Sequence, residues 1–191
     1  AYESGFNSLS SFNTAVSSFL YFEQAHIVDQ TISDSSSRTR LFGGIDFVVN
    51  TLALSSQLFL TGRLIRKFGM AIILAAIPLL VMIGFFSLSL AIALPTIIII
   101  QIIHRAGNFS LLRPGREMLF TVTPREDRYK SKNFIDTAIY RGSDALTGWA
   151  FAGLVSLGFS LSTIAVVAIP LAGAWALTGF IMGKRYNRIS K

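Results

Sequence analysis

Three short patterns set polar side chains inside runs of apolar residues, where they are costly to keep. Asp46, Asn50 and Gln57 stand at offsets of four and seven; Gln101, Arg105 and Asn108 stand at four and three. Asp136, Tyr140 and Asp144 follow at two steps of four, with Arg141 beside the last pair. Such offsets return to one face of an α-helix, so each set forms a polar stripe. Polar and ionisable groups in apolar helices face a bundle interior or a water-filled cavity. The chemistry they suit is the binding and passage of an anion, because arginine offers a planar fork of donors that matches carboxylate or phosphate oxygens. A competing reading makes the charges structural pairs, Arg141 with Asp144 or Arg105 with Asp46. His104 also has two readings, a proton shuttle or a packed neighbour of Arg105.

Covalent chemistry finds little support. There is no cysteine, and the two histidines, His26 and His104, are too few and too far apart to suggest a metal site. Gly179–Lys184 (GFIMGK) lacks the spacing of a phosphate-binding loop, and neither H-E-x-x-H nor G-x-S-x-G occurs. No enzymatic activity, metal or cofactor is therefore expected.

The elements that position the stripes follow from charge and length. The chain of 191 residues is 52% hydrophobic and 14% charged, against about a quarter charged in soluble domains. Residues 69–103 and 145–183 carry no Asp, Glu, Lys or Arg. As helix, at about 1.5 Å per residue, each would reach roughly 50 Å, beyond a hydrocarbon core of about 30 Å. Each must fold back into two spans. The solid apolar runs also lack the alternation of a transmembrane β-barrel. The expected fold is an all-α integral membrane protein with six transmembrane helices, at 4–22, 41–61, 69–88, 95–112, 137–157 and 163–183. Residues 1–191 would form one bundle, with a connecting loop at about 113–133. The span from Pro95 must run to Leu112 to cross, which puts Arg105 near mid-membrane; the same arithmetic draws Arg141 and Asp144 into the fifth span.

The net charge of +7 is read as topology rather than as affinity for nucleic acid. Thirteen Lys and Arg residues fall in the connections after the second and fourth spans and in the tail, whereas the opposite side has only Arg38 and Arg40. This asymmetry puts the basic loops and both termini in the cytoplasm, with the lipid bilayer as a partner. Small residues four apart, Gly148 with Ala152, Ala172 with Ala176 and Gly179 with Gly183, mark close helix packing.

Residues 62–69 read GRLIRKFG, which resembles the G-x-L-a-D-R-x-G loop signature of the major facilitator superfamily. Gly62 and Gly69 keep the frame, while Arg66 stands in place of the usual Asp and Lys67 in place of the usual Arg. The charge relay attributed to that Asp does not carry over. RPGREMLF from Arg113, YKSKNFIDT from Tyr129 and YRGSDAL from Tyr140 resemble the ATP:ADP antiporter branch of the same superfamily. FLYFEQ at Phe19–Gln24 and QLFLTGRL at Gln57–Leu64 fit the same branch. The resemblance covers about Ser18 to Leu157 and corresponds to the carboxyl-terminal six-helix half. It implies a secondary transporter of a small anionic solute, with nucleotides as cargo, working by alternating access in a bacterial inner membrane. It also implies a further amino-terminal six-helix half, of which this chain would be the complement. The alternative is a six-span partner or assembly protein that does not transport and binds anionic lipid through its basic loop.

Overall fold

The computed structural model describes residues 2–121 and 140–189, and every regular element among them is helical. In chain order these are α1 (Tyr2–Thr31), α2 (Ser35–Phe59), α3 (Thr61–Leu90), α4 (Leu94–Gly107), a π-helical turn (Asn108–Leu112), α5 (Arg113–Thr121), α6 (Tyr140–Ser156) and α7 (Leu161–Ile189). The expected spans each find a helix, but among the described residues three rather than six are long and apolar enough to cross a membrane: α2, α3 and α7. α1 has the length at 30 residues, yet its Ser and Asn content dilutes it. α4 has 14 residues before the π turn. The described part of α6 has 17 residues and carries Arg141 and Asp144, below the roughly 20 apolar residues that a crossing needs.

Two expected boundaries also shift. The fourth helix does not stop at Leu112 but continues through the π turn into α5, so the first part of the anticipated loop is helical. The rest of that loop, with Asp136 and the proposed start of the fifth span at Thr137, lies outside the described residues. The segment Gly62–Gly69 is a helical turn rather than a loop. It is set off from the remainder of α3 by Gly69, whose φ of 78° and ψ of 163° break the helix. That positive φ suits glycine, which has no Cβ to clash.

The core is one cluster that draws Phe6, Leu20, Leu74, Phe85, Ile97 and Trp175 from α1, α3, α4 and α7, all almost fully buried. Its tightest seam joins α3 to α7. A Cβ on Gly183 would lie 2.4 Å from the Ala71 Cα, and one on Gly179 would lie 2.7 Å from the Leu74 carbonyl oxygen. Ala172 and Ala176 are buried on the same helix. Close backbone approach of this kind gives dispersion contact. The Gly148–Ala152 pair behaves differently: Gly148 meets the Phe22 ring, and Ala152 is exposed.

Helix α2 starts on a side-chain cap. Asp34 accepts from the Ser37 backbone N–H at 2.8 Å and from the Ser36 hydroxyl at 2.9 Å, which satisfies helix-end donors. Hydrogen bonding with the Ser37 side chain first, then with the Ser37 backbone and the Ser36 side chain, holds its carboxyl down at about 2. Ile45, Val49 and Ala53, at four-residue steps, form the buried face of α2. Most of the rest is exposed, including Phe47, Leu54 and Leu58.

Candidate functional site

A cavity of about 660 Å³ opens beside α1, α2, α4, the π turn and α6. Asp46, Gln101, Arg105, Asn108 and Asp144 line it, together with Ser18, Gln24, His104, Phe109 and Arg113. Stripes that are distant in sequence thus converge, each because its helix buries an adjacent apolar face. On α2, Asp46 follows buried Ile45; on α4, Ile97 and Ile100 pack inward and bring Gln101 and His104 with them.

Arg105 donates to Asp46 Oδ1 at 2.5 Å. Side-chain exposures of 34% and 54% leave this pair open to water, where such contacts are worth about 0–1 kcal/mol. Charge-assisted hydrogen bonds to an anion reach about 1.5–3 kcal/mol, so an arriving anion can compete with Asp46 for the guanidinium. Asp144 does not pair with Arg141 as expected. It accepts a hydrogen bond from the Ser18 hydroxyl at 2.5 Å, while Arg141 is exposed and joins no ion pair among the described residues. A single turn of α6 carries both residues, and the packing of α6 on α1 turns Asp144 toward Ser18.

The remaining candidates lie around the cavity rather than in it. Tyr140 hydrogen-bonds with Arg116 beside a small neighbouring void of about 20 Å³ that also touches Asn108 and Arg113. Asn50 is exposed on α2. Arg66 donates to the Gly62 carbonyl of its own helical turn at 3.2 Å.

Gln57 has a structural task that links α2 to the π turn. In that turn the Arg113 N–H reaches back to the Asn108 carbonyl, five residues away, so it does not serve the Phe109 carbonyl as an α-helix would. Pro114 has no N–H to offer the Ser110 carbonyl, and its ring would crowd that carbonyl in a regular helix. Both freed oxygens find side chains at the α2–α3 junction. Gln57 Nε2 donates to Phe109 O at 2.8 Å, and Thr61 Oγ1 donates to Ser110 O at 2.8 Å. The π turn presents the Phe109 ring 4.5 Å from the Arg113 guanidinium, a cation–π contact on the cavity wall.

His104 is fully packed. Its ring meets Trp175 edge-on at 5.8 Å, and neither ring nitrogen has a hydrogen-bond partner among the described residues. It is packed, as one of its two sequence readings has it, but against Trp175. Among the described residues no three His, Asp or Glu side chains converge where a metal ion could sit.

Sequence reasoning missed Ser18, Gln24, Phe109 and Arg113. Arg113 had been assigned to a loop, because the helix was expected to end at Leu112. Of the two on α1, Gln24 carried a usable signal, since Ser10, Thr14, Ser17, Tyr21 and Gln24 recur at steps of three and four. Compared with known proteins, the chain finds no match: no family model, curated protein or solved structure matches it.

Proposed function

We propose that the protein is a secondary active transporter that moves a small anionic solute by alternating access, with the 660 Å³ cavity as its translocation site. The observation that carries this reading is the convergence of Asp46, Gln101, Arg105, Asn108 and Asp144, from three separate stripes, on one cavity. Its volume falls within the roughly 300–1,000 Å³ of small-molecule sites. Arg105 and Arg113 supply donors for an anion, and Phe109, Tyr21, Phe22 and Phe42 supply faces for an unsaturated ring. Nucleotide exchange, ATP for ADP, is the cargo that the sequence resemblance implies.

In this reading α1, the run α4–π–α5, and α6 join the three apolar helices as six spans, with both termini cytoplasmic in a bacterial inner membrane. The open polar side would face a companion six-helix half. Exchange of radiolabelled ATP, ADP and phosphate by the protein in liposomes tests the proposal. Flux that falls at least tenfold in Arg105→Ala and little in Lys184→Ala supports it. Equal effects of the two changes would exclude Arg105 as the anion contact. Absence of flux, with binding to anionic vesicles intact, would favour a non-transporting membrane partner.

A further inference from the structure

One fully enclosed charge-bearing group among the described residues is not on the cavity wall. Glu23, on α1, has no exposed surface, and neither carboxylate oxygen has a hydrogen-bond partner among the described residues. An ionised carboxylate in such a place has lost its water and gained nothing in return, whereas the neutral acid avoids that penalty.

Among the described residues, no charged group on the elements packed against α1 is bonded to Glu23. α1 packs against α4, α6 and α7. From α4 come His104, whose ring lies against Trp175, and Arg105, which is bonded to Asp46. From α6 come Asp144, bonded to Ser18, and Arg141, which is exposed. Along α7 there is no charge before Lys184. On α1 itself His26 lies against the Phe151 ring at 5.6 Å, and Asp29 pairs with Arg38.

Glu23 nevertheless lies one residue from the cavity. Ser17, Ser18, Tyr21, Phe22 and Gln24 all line it, and neighbouring residues on a helix differ by about 100° in direction. Turning α1 by about that angle would exchange Gln24 for Glu23 on the wet side.

We propose that Glu23 is a proton-binding site, held as the neutral acid in this conformation and discharged when α1 turns it to the cavity, so that solute movement is coupled to protons. The step is balanced: a hydronium ion in the cavity gives its proton to one Glu23 carboxylate oxygen, forming an O–H bond and leaving water. Discharge on the other side of the membrane reverses it. The coupling rests on the transport reading, whereas proton binding does not.

Infrared spectroscopy of the purified protein at neutral pH should show a protonated-carboxyl stretching band that is missing from Glu23→Gln and retained, displaced, in Glu23→Asp. A wild type without the band, or a band that persists in Glu23→Gln, would overturn the proposal. In proteoliposomes a one-unit inward proton gradient should raise ADP accumulation by up to about tenfold per coupled proton in the wild type and leave Glu23→Gln unchanged. Equal responses in both would overturn the coupling. No ADP uptake from any protein, with the band present, would refute nucleotide transport and leave the proton site standing.

Discussion

The α3–α7 seam and the cavity beside α2 and α4 belong to the same bundle but solve opposite problems. The seam is dry and carries glycines against backbone, with a Gly183 Cβ position 2.4 Å from Ala71. The cavity mixes polar and aromatic walls, and its polar contacts include single hydrogen bonds, a cation–π contact and one half-exposed ion pair. Contacts that depend on interatomic fit cannot slide without loss, whereas a weak, solvated pair can exchange partners. The difference teaches that rigidity and adaptability are segregated: α3 and α7 form a frame, and the polar faces of α1, α2, α4 and α6 are free to respond.

The largest expected effect breaks the frame. Gly183→Val should drive Cβ and both γ-methyls into the Ala71 backbone, costing at least the roughly 1–3 kcal/mol of overpacking. The expected result is a lowered thermal midpoint and little monodisperse protein in detergent. A Gly183→Val protein as stable as the wild type would show that the seam is not a rigid frame.

On the cavity side, Arg105→Ala should leave the thermal midpoint nearly unchanged yet reduce anion flux about tenfold or more, as expected for loss of a charge-assisted contact. A double-mutant cycle with Asp46→Ala should return a coupling in stability of no more than about 1 kcal/mol. A larger value would make the pair a structural brace rather than an exchangeable one.

Between the two regions stands the junction of α2 with the π turn. Gln57→Leu should cost about 1 kcal/mol or less through the lost bond to the Phe109 carbonyl. Thr61→Val should cost slightly more, because its partner at Ser110 is buried. Equal stability of both variants with the wild type would mean that water replaces these side chains without loss.

The smallest effect lies outside both regions, at the Asp34 cap. Its folded-state carboxyl is depressed from 3.8 to about 2. The stabilisation is therefore complete above 3.8 and is lost as the pH falls through about 2. The difference in thermal midpoint between wild type and Asp34→Ala should be small and constant from neutral pH to mild acid, and should close near pH 2.

Much of the frame was legible because it depends on local spacing. Gly179 and Gly183 advertise close packing, and the charge-free runs locate α3 and α7. The cavity was legible in part, because Asp46, Arg105 and Asp144 announce their faces by periodicity alone. What the sequence withheld was pairing between helices. Nothing local says that Asp144 prefers Ser18 to Arg141, or that Glu23 is enclosed rather than at a membrane boundary. The continuation past Leu112 was hidden for another reason: length alone completes a crossing by that residue, and the side chains that serve the carbonyls freed before Pro114 come from a distant junction.

The π turn has a consequence for angular phase. One extra residue per turn delays the helix by about 100°, so every side chain beyond Leu112 is displaced around the axis from where an uninterrupted α-helix would put it. Arg113 borders the cavity and Arg116 meets Tyr140 in this delayed phase. Deleting one residue within 108–112 would shorten the rod by little, yet it would swing both guanidinium groups away from the polar side together.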